Sequence, residues 1–257
     1  MIINGSRALA YTARCGAIEK IEGADNIELM NVLGWKVITK IGEFKEGDVC
    51  VYFEIDSKLP EKEWSEFMAP MIVTEKLDGT SCTYILERKK GKDKFEFYVL
   101  SRNIRQQDEN QKTYHDHNIY WDLAFKYDIE NKLRGYLEEH PELTYVCIQG
   151  EGVGSVQGNP LKLDEDDLYV FNFIDSERGR WNSVGGKIRI ESWGMKWVPI
   201  LDIDYRMPDN MEEFKQYADG KSAVNPKVKR EGVVIRNPKD DFSFKNVLRE
   251  YLLKHDG

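Results

Sequence analysis

The sequence predicts an α+β protein, in which a small β-barrel module precedes a larger domain of antiparallel sheets with flanking helices. Two observations point to this class. Residues 1 to about 60 read as short strands separated by turn residues, whereas the rest of the chain mixes longer alternating strands with two stretches of helical periodicity. The length of 257 residues suits one small module and one larger domain, and it allows a substantial core.

The first predicted domain covers residues 1–65. Its expected strands are separated by Gly-Asp or Gly-Ala-Asp turns, and they run from Ala8 to Arg14, Ile27 to Leu33, Trp35 to Lys40 and Val49 to Ile55. Too few strands precede residue 70 to close a five-stranded barrel. Either the module is incomplete, or a segment present in relatives is missing from this chain.

Two segments of this first domain, Ile18 to Leu29 and Gly47 to Phe53, resemble OB-type nucleic-acid-binding modules, including those of tRNA-binding proteins. OB folds hold single strands in a groove with stacking aromatics, for which Trp35, Tyr52 and Phe53 are the candidates. The alternative for each aromatic is that it fills the interior of a small barrel, which is the more frequent use of such a side chain.

The second predicted domain covers residues 71–257 and follows a polar linker at residues 58–68. Ser81 to Glu87 and Lys94 to Leu100 alternate apolar and polar residues, which predicts a β-hairpin with a basic tip at residues 88–93. That tip is either a contact for a phosphate backbone or, more commonly, a solvated lysine-rich turn.

Helices and further strands are expected in the remainder of this domain. Phe125, Ile129, Leu133 and Leu137 repeat every four residues and predict one amphipathic helix, and residues 208–217 predict another. The further strands are expected at Thr144 to Gln149, Leu168 to Ile174, Lys187 to Ile190, Gly232 to Arg236 and Phe242 to Val247.

The composition narrows the class of protein. Charged residues make up 32% and hydrophobic residues 41%, and no apolar run is long enough to span a bilayer. The first seven residues lack the pattern of a signal peptide, so a cytoplasmic protein without a membrane partner is expected. The four cysteines are far apart and predict reduced thiols rather than a structural metal site. The net charge of −8 argues against a generally basic surface but allows a local basic face for nucleic acid.

Lys76 is the candidate nucleophile. It follows the apolar run Met71-Ile72-Val73 and precedes Asp78-Gly79, which places it at a strand end next to a sharp turn. A lysine becomes nucleophilic when burial and nearby cations make it lose its proton. By itself the pattern Lys-x-Asp-Gly is weak, because an edge-strand lysine before a turn looks the same.

Five further clusters follow Lys76, and each places a polar or aromatic residue in or at the end of a predicted strand. Such groups, when they converge on a cleft, are what a nucleotide site requires. The clusters are Ser101-Arg102-Asn103, Gly150-Glu151-Gly152, Tyr169 to Phe173, Arg230 to Arg236 with Glu231, and Phe242 to Lys245.

In this order the six clusters resemble the covalent nucleotidyltransferase superfamily of polynucleotide ligases and mRNA capping enzymes, from Thr74 to about Asn246. Within it, the chain looks most like ATP-dependent RNA ligases that seal nicks, and its first third looks like the OB module of one bacterial subgroup. The resemblance implies an ATP-grasp-like ligase domain of antiparallel sheets.

The resemblance also implies roles for individual residues. Lys76 attacks the α-phosphate of ATP, expels pyrophosphate and carries AMP through a phosphoramidate bond. Glu75, beside it, is counted among the nucleotide-binding residues, and Glu231 binds Mg²⁺ or Mn²⁺ directly or through water. Four more residues are implied to contact substrate: Arg102 at a phosphate or the ribose, Glu151 at the ribose hydroxyls, Phe171 stacked on adenine in preference to Phe173, and Lys245 at the α-phosphate.

One position departs from the family pattern. Many relatives carry two lysines that flank one residue in the last cluster, whereas here Ser243 occupies the first place and only Lys245 remains. Lys245 is expected to suffice, and Ser243 is left out of the predicted site. Glu151 and Glu231 have an ordinary alternative as surface carboxylates.

The expected function is therefore joining of an RNA 3′-hydroxyl to a 5′-phosphate through lysyl-AMP, at nicked or broken RNA or in an RNA–DNA hybrid, by a monomer. A DNA ligase or capping enzyme is one alternative, although those families carry a further OB domain after the catalytic domain, and here about 12 residues follow Lys245. A non-catalytic RNA-binding protein built on the OB-like module is the other. Whether the 5′-phosphate strand is RNA or DNA stays open.

Overall fold

A computed structural model describes residues 2–3, 6–7, 10–21, 26–53, 69–89, 94–106, 117–208, 211–237, 243–248 and 251, with backbone alone at residues 2–12, 51–53 and 211–212. The chain divides into two compact units, Met1–Ser65 and Glu66–Gly257. The predicted linker at residues 58–68 and the hairpin tip at residues 90–93 lie outside the described residues.

In its described residues, the first unit contains three small antiparallel sheets. β1 (Ile2–Ile3) pairs with β2 (Ser6–Arg7), and β3 (Ala10–Arg14) pairs with β7 (Val49–Phe53). The strands that follow β3 in the chain form a three-stranded sheet of β4 (Ile18–Lys20), β5 (Ile27–Val32) and β6 (Trp35–Lys40). The four strands predicted here are present, and β1, β2 and β4 are additional. Residues 8–9 and 54–55, at the predicted ends of two of these strands, lie outside the described residues.

Trp35 does not fill the interior of this unit. Its side chain is 54% exposed, whereas the buried cluster of the unit consists of Ala13, Cys15, Met30 and Val32. The tryptophan is therefore available at the surface, unlike an ordinary core aromatic. The side chains of Tyr52 and Phe53, the other two candidates, lie outside the described residues.

The larger sheet of the second unit has six strands. Its strands follow the order β10 (Phe95–Leu100), β9 (Thr80–Arg88), β11 (Tyr145–Val153), β12 (Asp167–Asp175) and β13 (Gly179–Arg180), and β14 (Lys196–Trp197) runs parallel to β12. The predicted β9–β10 hairpin is present, in register from Phe95 opposite Arg88. Cys82, Tyr84 and Leu86 are fully buried on one face of β9, as their alternation predicts.

The long predicted helix is in fact two helices, α1 (Ile119–Lys126) and α2 (Ile129–Glu139). Asp128 between them adopts a left-handed conformation, with φ 49° and ψ 47°, which no α-helix can continue through. The break turns Phe125 outward to 58% exposure, while Ile129, Leu133 and Leu137 stay fully buried. The four-residue repeat is thus correct for α2 and wrong for Phe125.

The strand predicted at Lys187 to Ile190 is wrong, because these residues lie in α3 (Ser183–Ser192). The side chain of Asn182 caps this helix by accepting a hydrogen bond from the backbone N–H of Gly185. Gly186 allows the helix to pack closely, since a Cβ there would lie 2.6 Å from the ring of Trp197. Tertiary packing against β12 and β14 overrides the local alternation.

A second sheet, of four antiparallel strands, carries the candidate nucleophile. Its order is β15 (Ile200–Tyr205), β8 (Met71–Lys76), β16 (Gly232–Arg236) and β17 (Ser243–Val247). One face packs on α4 (Met211–Ala218) through a core that includes Met71, Val73, Val233 and Ile235. Lys76 is therefore the last residue of a central strand. In the described part of the chain, no helix has the length and apolar character to cross a membrane.

Candidate active site

A cavity of about 200 Å³ brings residues of both sheets of the second unit together. The second sheet and the loops at its ends contribute most of the wall, and the first sheet contributes Glu151 and Phe171. The described lining residues are Thr74, Glu75, Lys76, Leu77, Glu151, Phe171, Val198, Val234, Arg236, Ser243 and Lys245. Five of the seven residues that the sequence nominates for the site thus line this cavity, and a sixth, Glu231, contacts Lys76 directly.

Lys76 and Glu231 form an ion pair at this cavity. Lys76 lies opposite Gly232 in the β8–β16 register, which brings the preceding residue, Glu231, beside the lysine side chain. Lys76 Nζ lies 2.5 Å from Glu231 Oε1, and the two side chains are only 22% and 12% exposed. Burial raises the pKa of Glu231, and the hydrogen bond from Lys76 opposes that rise. The other oxygen, Oε2, is buried without a hydrogen-bond partner among the described residues.

Glu151 lies inside β11 and not at the end of a strand, because β11 continues four residues beyond the predicted end at Gln149. A bulge between Gln149 and Gly150 lets the strand keep pairing with β12. Burial raises the pKa of the Glu151 carboxyl to about 7; the charge of Lys76 opposes this rise, and the charge of Glu231 adds to it. Protonation of the Glu151 carboxyl is therefore easier than that of an exposed glutamate.

The turn after Lys76 packs directly against β11. A Cβ at Gly79 would lie 2.2 Å from the carbonyl oxygen of Gly152 and 3.1 Å from the Glu151 side chain. Only glycine allows this approach, which brings the turn within reach of the Glu151 carboxylate. The Gly79 N–H donates to that carboxylate and opposes the rise in its pKa.

Phe171 and Phe173 differ in their surroundings, although both lie on β12. Phe173 is fully buried and meets Tyr136, Trp181 and Trp193 edge-on, at centroid distances of 5.3, 5.1 and 5.7 Å. Phe171 is half-buried and lines the cavity, where Val234 of the second sheet is a further apolar wall. The structure therefore brings Phe171, and not Phe173, to the cavity.

Lys245 and Ser243 both line the cavity from β17. Lys245 lies opposite Val234, and its charge helps to oppose the raised pKa of Glu231. Ser243 lies opposite Arg236. Arg236 also lines the cavity, although it was not predicted as a site residue from the sequence. The sequence does contain a signal for Arg236: it is the last residue of an otherwise apolar strand, Gly232–Arg236, and a charged residue at a position expected to be buried often has a functional role.

Arg236 is held in place by a chain of side-chain hydrogen bonds. Its Nη1 donates to Asn172 Oδ1 at 2.7 Å, and Asn172 Nδ2 donates to Gln149 Oε1 at 2.8 Å. The arginine is buried, with 7% of its surface exposed. This chain links the second sheet to β12 and β11 of the first, at the wall of the cavity.

Glu75 reaches the cavity wall, but its carboxylate is engaged elsewhere. Glu75 lies opposite Val233, whose side chain belongs to the core on the face that packs on α4. Glu75 Oε2 accepts the backbone N–H of Ala223 at 2.7 Å, and the residue is only 2% exposed. Burial raises the pKa of this carboxyl, and a hydrogen bond from Ser222 opposes the rise. Its side chain thus ties β8 to the loop that leads to Glu231.

Arg102 is not among the described residues of the cavity wall. It is exposed in the turn after β10, which is closed by a hydrogen bond from the Ser101 N–H to the Ile104 carbonyl. The β10–β9–β11 register places Leu100, Thr83 and Gln149 side by side, so Arg102 lies beyond the sheet at the end that carries Glu151.

The site combines an amine, flanking carboxylates, a second cation and an aromatic wall. These are the parts needed for attack of a lysine on the phosphate of a bound nucleotide, with charge neutralisation by neighbouring groups. The class of protein that the fold and the site define is a covalent nucleotidyltransferase.

Comparison with protein families narrows this class. Residues 69–248, more than two thirds of the chain, match the RNA ligase family, and residues 9–90 match an OB-fold domain. The chain belongs to the RNA ligase family. This confirms the predicted family, the α+β fold class and an RNA ligase as the enzyme class, with RNA as the substrate class. The DNA ligase and the non-catalytic RNA-binding protein are not favoured.

Solved structures of an RNA ligase from Naegleria gruberi share the fold. That ligase with PPi is 24% identical, with a TM-score of 0.61 over 98% of this chain and 99% of that chain. A mutant of it with ATP and Mn is 24% identical, with a TM-score of 0.62 over 96% and 98%. Another mutant, with AMP and Mn, is 24% identical, with a TM-score of 0.62 over 97% and 99%. No curated protein matches the chain.

Proposed function

We propose that this protein is an ATP-dependent RNA ligase that joins an RNA 3′-hydroxyl to a 5′-phosphate at nicks in duplexes, with Lys76 as the nucleophile. The observation that carries the proposal is the pairing of Lys76 Nζ with Glu231 Oε1 at 2.5 Å, beside a cavity shared with Glu151, Phe171 and Lys245. ATP is supported further by the shared fold of the Naegleria gruberi ligase solved with ATP and with AMP.

In the first step the Lys76 amine attacks the α-phosphorus of ATP. A bond forms between Nζ and phosphorus, the bond from phosphorus to the bridging oxygen breaks, and pyrophosphate leaves. The ammonium must first give up a proton, and Glu231 Oε1 is the acceptor in contact with it. Lys245 offsets the negative charge of the α-phosphate from β17, the strand that pairs with β16.

The rest of the nucleotide occupies the same cavity in this proposal. Phe171 stacks on adenine, and Val234 covers the base from the second sheet. Glu151 accepts hydrogen bonds from the ribose hydroxyls, for which its ionised form is the better acceptor. Arg102, outside the cavity, contacts the phosphate of the nucleic acid near the mouth.

Glu231 fits a divalent cation, Mg²⁺ or Mn²⁺. Its Oε2 is buried without a hydrogen-bond partner among the described residues, although Oε1 already contacts Lys76. No cluster of three or more metal-ligating side chains occurs in the described ranges, and Mg²⁺ commonly takes only one or two carboxylates and keeps several waters. When bound, such an ion would supply neutralising charge at the phosphates.

The two later steps pass AMP to a 5′-phosphate and then let the RNA 3′-hydroxyl attack that activated end, releasing AMP. The OB-like unit recognises the nucleic acid around the break, and Trp35 is its exposed aromatic for stacking. An RNA–DNA hybrid is included among the substrates, and a cytoplasmic monomer is the form proposed. A variant that lacks residues 1–65 should still form lysyl-AMP but should lose nick sealing; unchanged sealing would remove this role from the unit.

Intact mass after incubation with ATP and Mg²⁺ tests the chemistry. Any AMP carried over from expression is first removed with pyrophosphate, and ATP-free and Lys76→Ala samples run in parallel. The wild type should gain one adenylyl group, and Lys76→Ala should gain none. If the wild type gained no mass with ATP and none with GTP, the proposed function would be refuted.

A further inference from the structure

The segment after β17 reaches the turn of the nucleophile motif through Tyr251. The Tyr251 hydroxyl donates a hydrogen bond to Asp78 Oδ2 at 2.5 Å, two residues beyond Lys76. The Tyr251 N–H donates to the Leu248 carbonyl, and the Leu248 N–H donates to the Glu231 carbonyl, both at 3.0 Å. Tyr251 is thus anchored to the backbone of the residue that pairs with Lys76.

Asp78 is a potential competitor for the Lys76 ammonium. Its negative charge adds to the rise in pKa that burial causes at Glu151 and at Glu231, so it lies within electrostatic range of both. Nevertheless, Lys76 pairs with Glu231, and no ion pair between Lys76 and Asp78 occurs in the described part of the chain. The carboxylate of Asp78 takes the phenol of Tyr251 as its donor instead.

The phenol is a durable donor. Burial, followed by the hydrogen bond to Asp78, raises the pKa of Tyr251 well above its usual range. The hydroxyl therefore keeps its proton throughout the neutral range. A neutral donor satisfies the carboxylate without adding a further cation to the site.

We infer that Tyr251 is a positioning residue. Its hydroxyl engages the Asp78 carboxylate, so that the Lys76 ammonium pairs with Glu231 at the cavity and not with Asp78. This inference rests on the proposed function, because it concerns the geometry of the Lys76 nucleophile. Without the hydroxyl, Asp78 competes with Glu231 for the ammonium and draws Lys76 away from the attacking position. Tyr251 is not among the described residues that line the cavity, so its loss acts on the rate of attack and not on nucleotide binding.

Single-turnover adenylylation of Tyr251→Phe tests the inference. The rate at saturating ATP should fall about tenfold, as expected for loss of one hydrogen bond to a charged group, while the ATP concentration for half-maximal rate stays unchanged. Tyr145→Phe, at a partly exposed tyrosine on β11, is the matched control and should behave as wild type. An unchanged maximal rate in Tyr251→Phe, or an effect confined to the ATP concentration, would overturn the positioning role.

A double-mutant cycle with Asp78→Asn separates this role from a general loss of structure. The free energies of unfolding in urea are compared for the wild type, the two single variants and the double variant, which requires no residual activity. Non-additive effects are expected, because Tyr251→Phe removes the donor of this hydrogen bond and Asp78→Asn weakens the same bond by removing the charge of its acceptor; additive effects would overturn the pairing. A wild type that fails to adenylylate would refute the proposed function itself, whereas a normal wild type with a normal Tyr251→Phe would refute only this inference.

Discussion

Phe171 and Phe173 provide a paired test of the nucleotide site, because the two phenylalanines share a strand but not an environment. Phe171→Ala should weaken the use of ATP. Base–aromatic stacking contributes about 1–3 kcal/mol, which corresponds to an increase of about 5- to 150-fold in the ATP concentration for half-maximal adenylylation. Because Phe171 is only half-buried at the cavity wall, its removal should cost less stability than that of a core aromatic.

Phe173→Ala should lower the free energy of unfolding strongly but leave the ATP dependence of adenylylation almost unchanged. This side chain is fully buried among three aromatic rings, and truncation of a core phenylalanine costs about 3–5 kcal/mol of unfolding free energy. Under conditions where the variant is still folded, its ATP dependence should resemble that of the wild type. Urea unfolding and ATP titrations of adenylylation, run on both variants, provide the two measurements.

An exchange of these effects would refute the assignment of Phe171 as the residue that stacks on adenine. If Phe171→Ala left the ATP dependence unchanged while Phe173→Ala shifted it, adenine would have to stack on the other residue. Phe171→Leu serves as an intermediate variant, because it keeps apolar bulk without a ring; it should recover stability more than ATP affinity.

Three further outcomes are expected. Gly79→Ala should abolish adenylylation, because the new Cβ would lie 2.2 Å from a backbone oxygen. Gly135→Ala is the control: it lies in a helix where a Cβ meets nothing within 4 Å, and it should stabilise the protein by about 0.5–1 kcal/mol. Equal adenylylation activity of the two variants would contradict the close approach at Gly79. The folded-state pKa of Glu151 is raised to about 7, so this carboxyl should lower wild-type stability by about 1–3 kcal/mol as pH rises from about 4.5 through 7. Because the pKa values of Glu75 and Glu231 are also raised, Glu151→Gln should make the slope in urea unfolding measured across pH shallower without removing it. Glu75→Gln should keep the hydrogen bond to the loop and its stability, whereas Glu75→Ala should lose about 1–3 kcal/mol; identical unfolding curves for both would remove the proposed tie.

The local sequence predicted those parts of the site that depend on one strand or one turn. The alternation in β9, the apolar run before Lys76 and the glycine after Asp78 each follow from side-chain size and backbone freedom, which act over a few residues. The order of the six clusters predicted the family, which the comparison with protein families confirms.

Local patterns failed where packing between distant segments decides the conformation. The left-handed Asp128 splits the predicted helix, and contact of α3 with β12 and β14 turns an alternating segment into a helix. No periodicity reports such contacts, because the same alternation fits a strand or a short buried helix until its neighbours are known.

The amino-acid sequence by itself determined which residue types are present and where they fall along the chain: a lysine after an apolar run, a carboxylate between two glycines, and aromatics on one strand. Only the tertiary structure decided which of them meet. It turned the Glu75 carboxylate to the loop before Glu231, brought Arg236 into the cavity wall and carried Tyr251 onto Asp78, 173 residues away in the chain. The physical reason is that these contacts are made across strand pairings and chain reversals, whose register depends on the whole core.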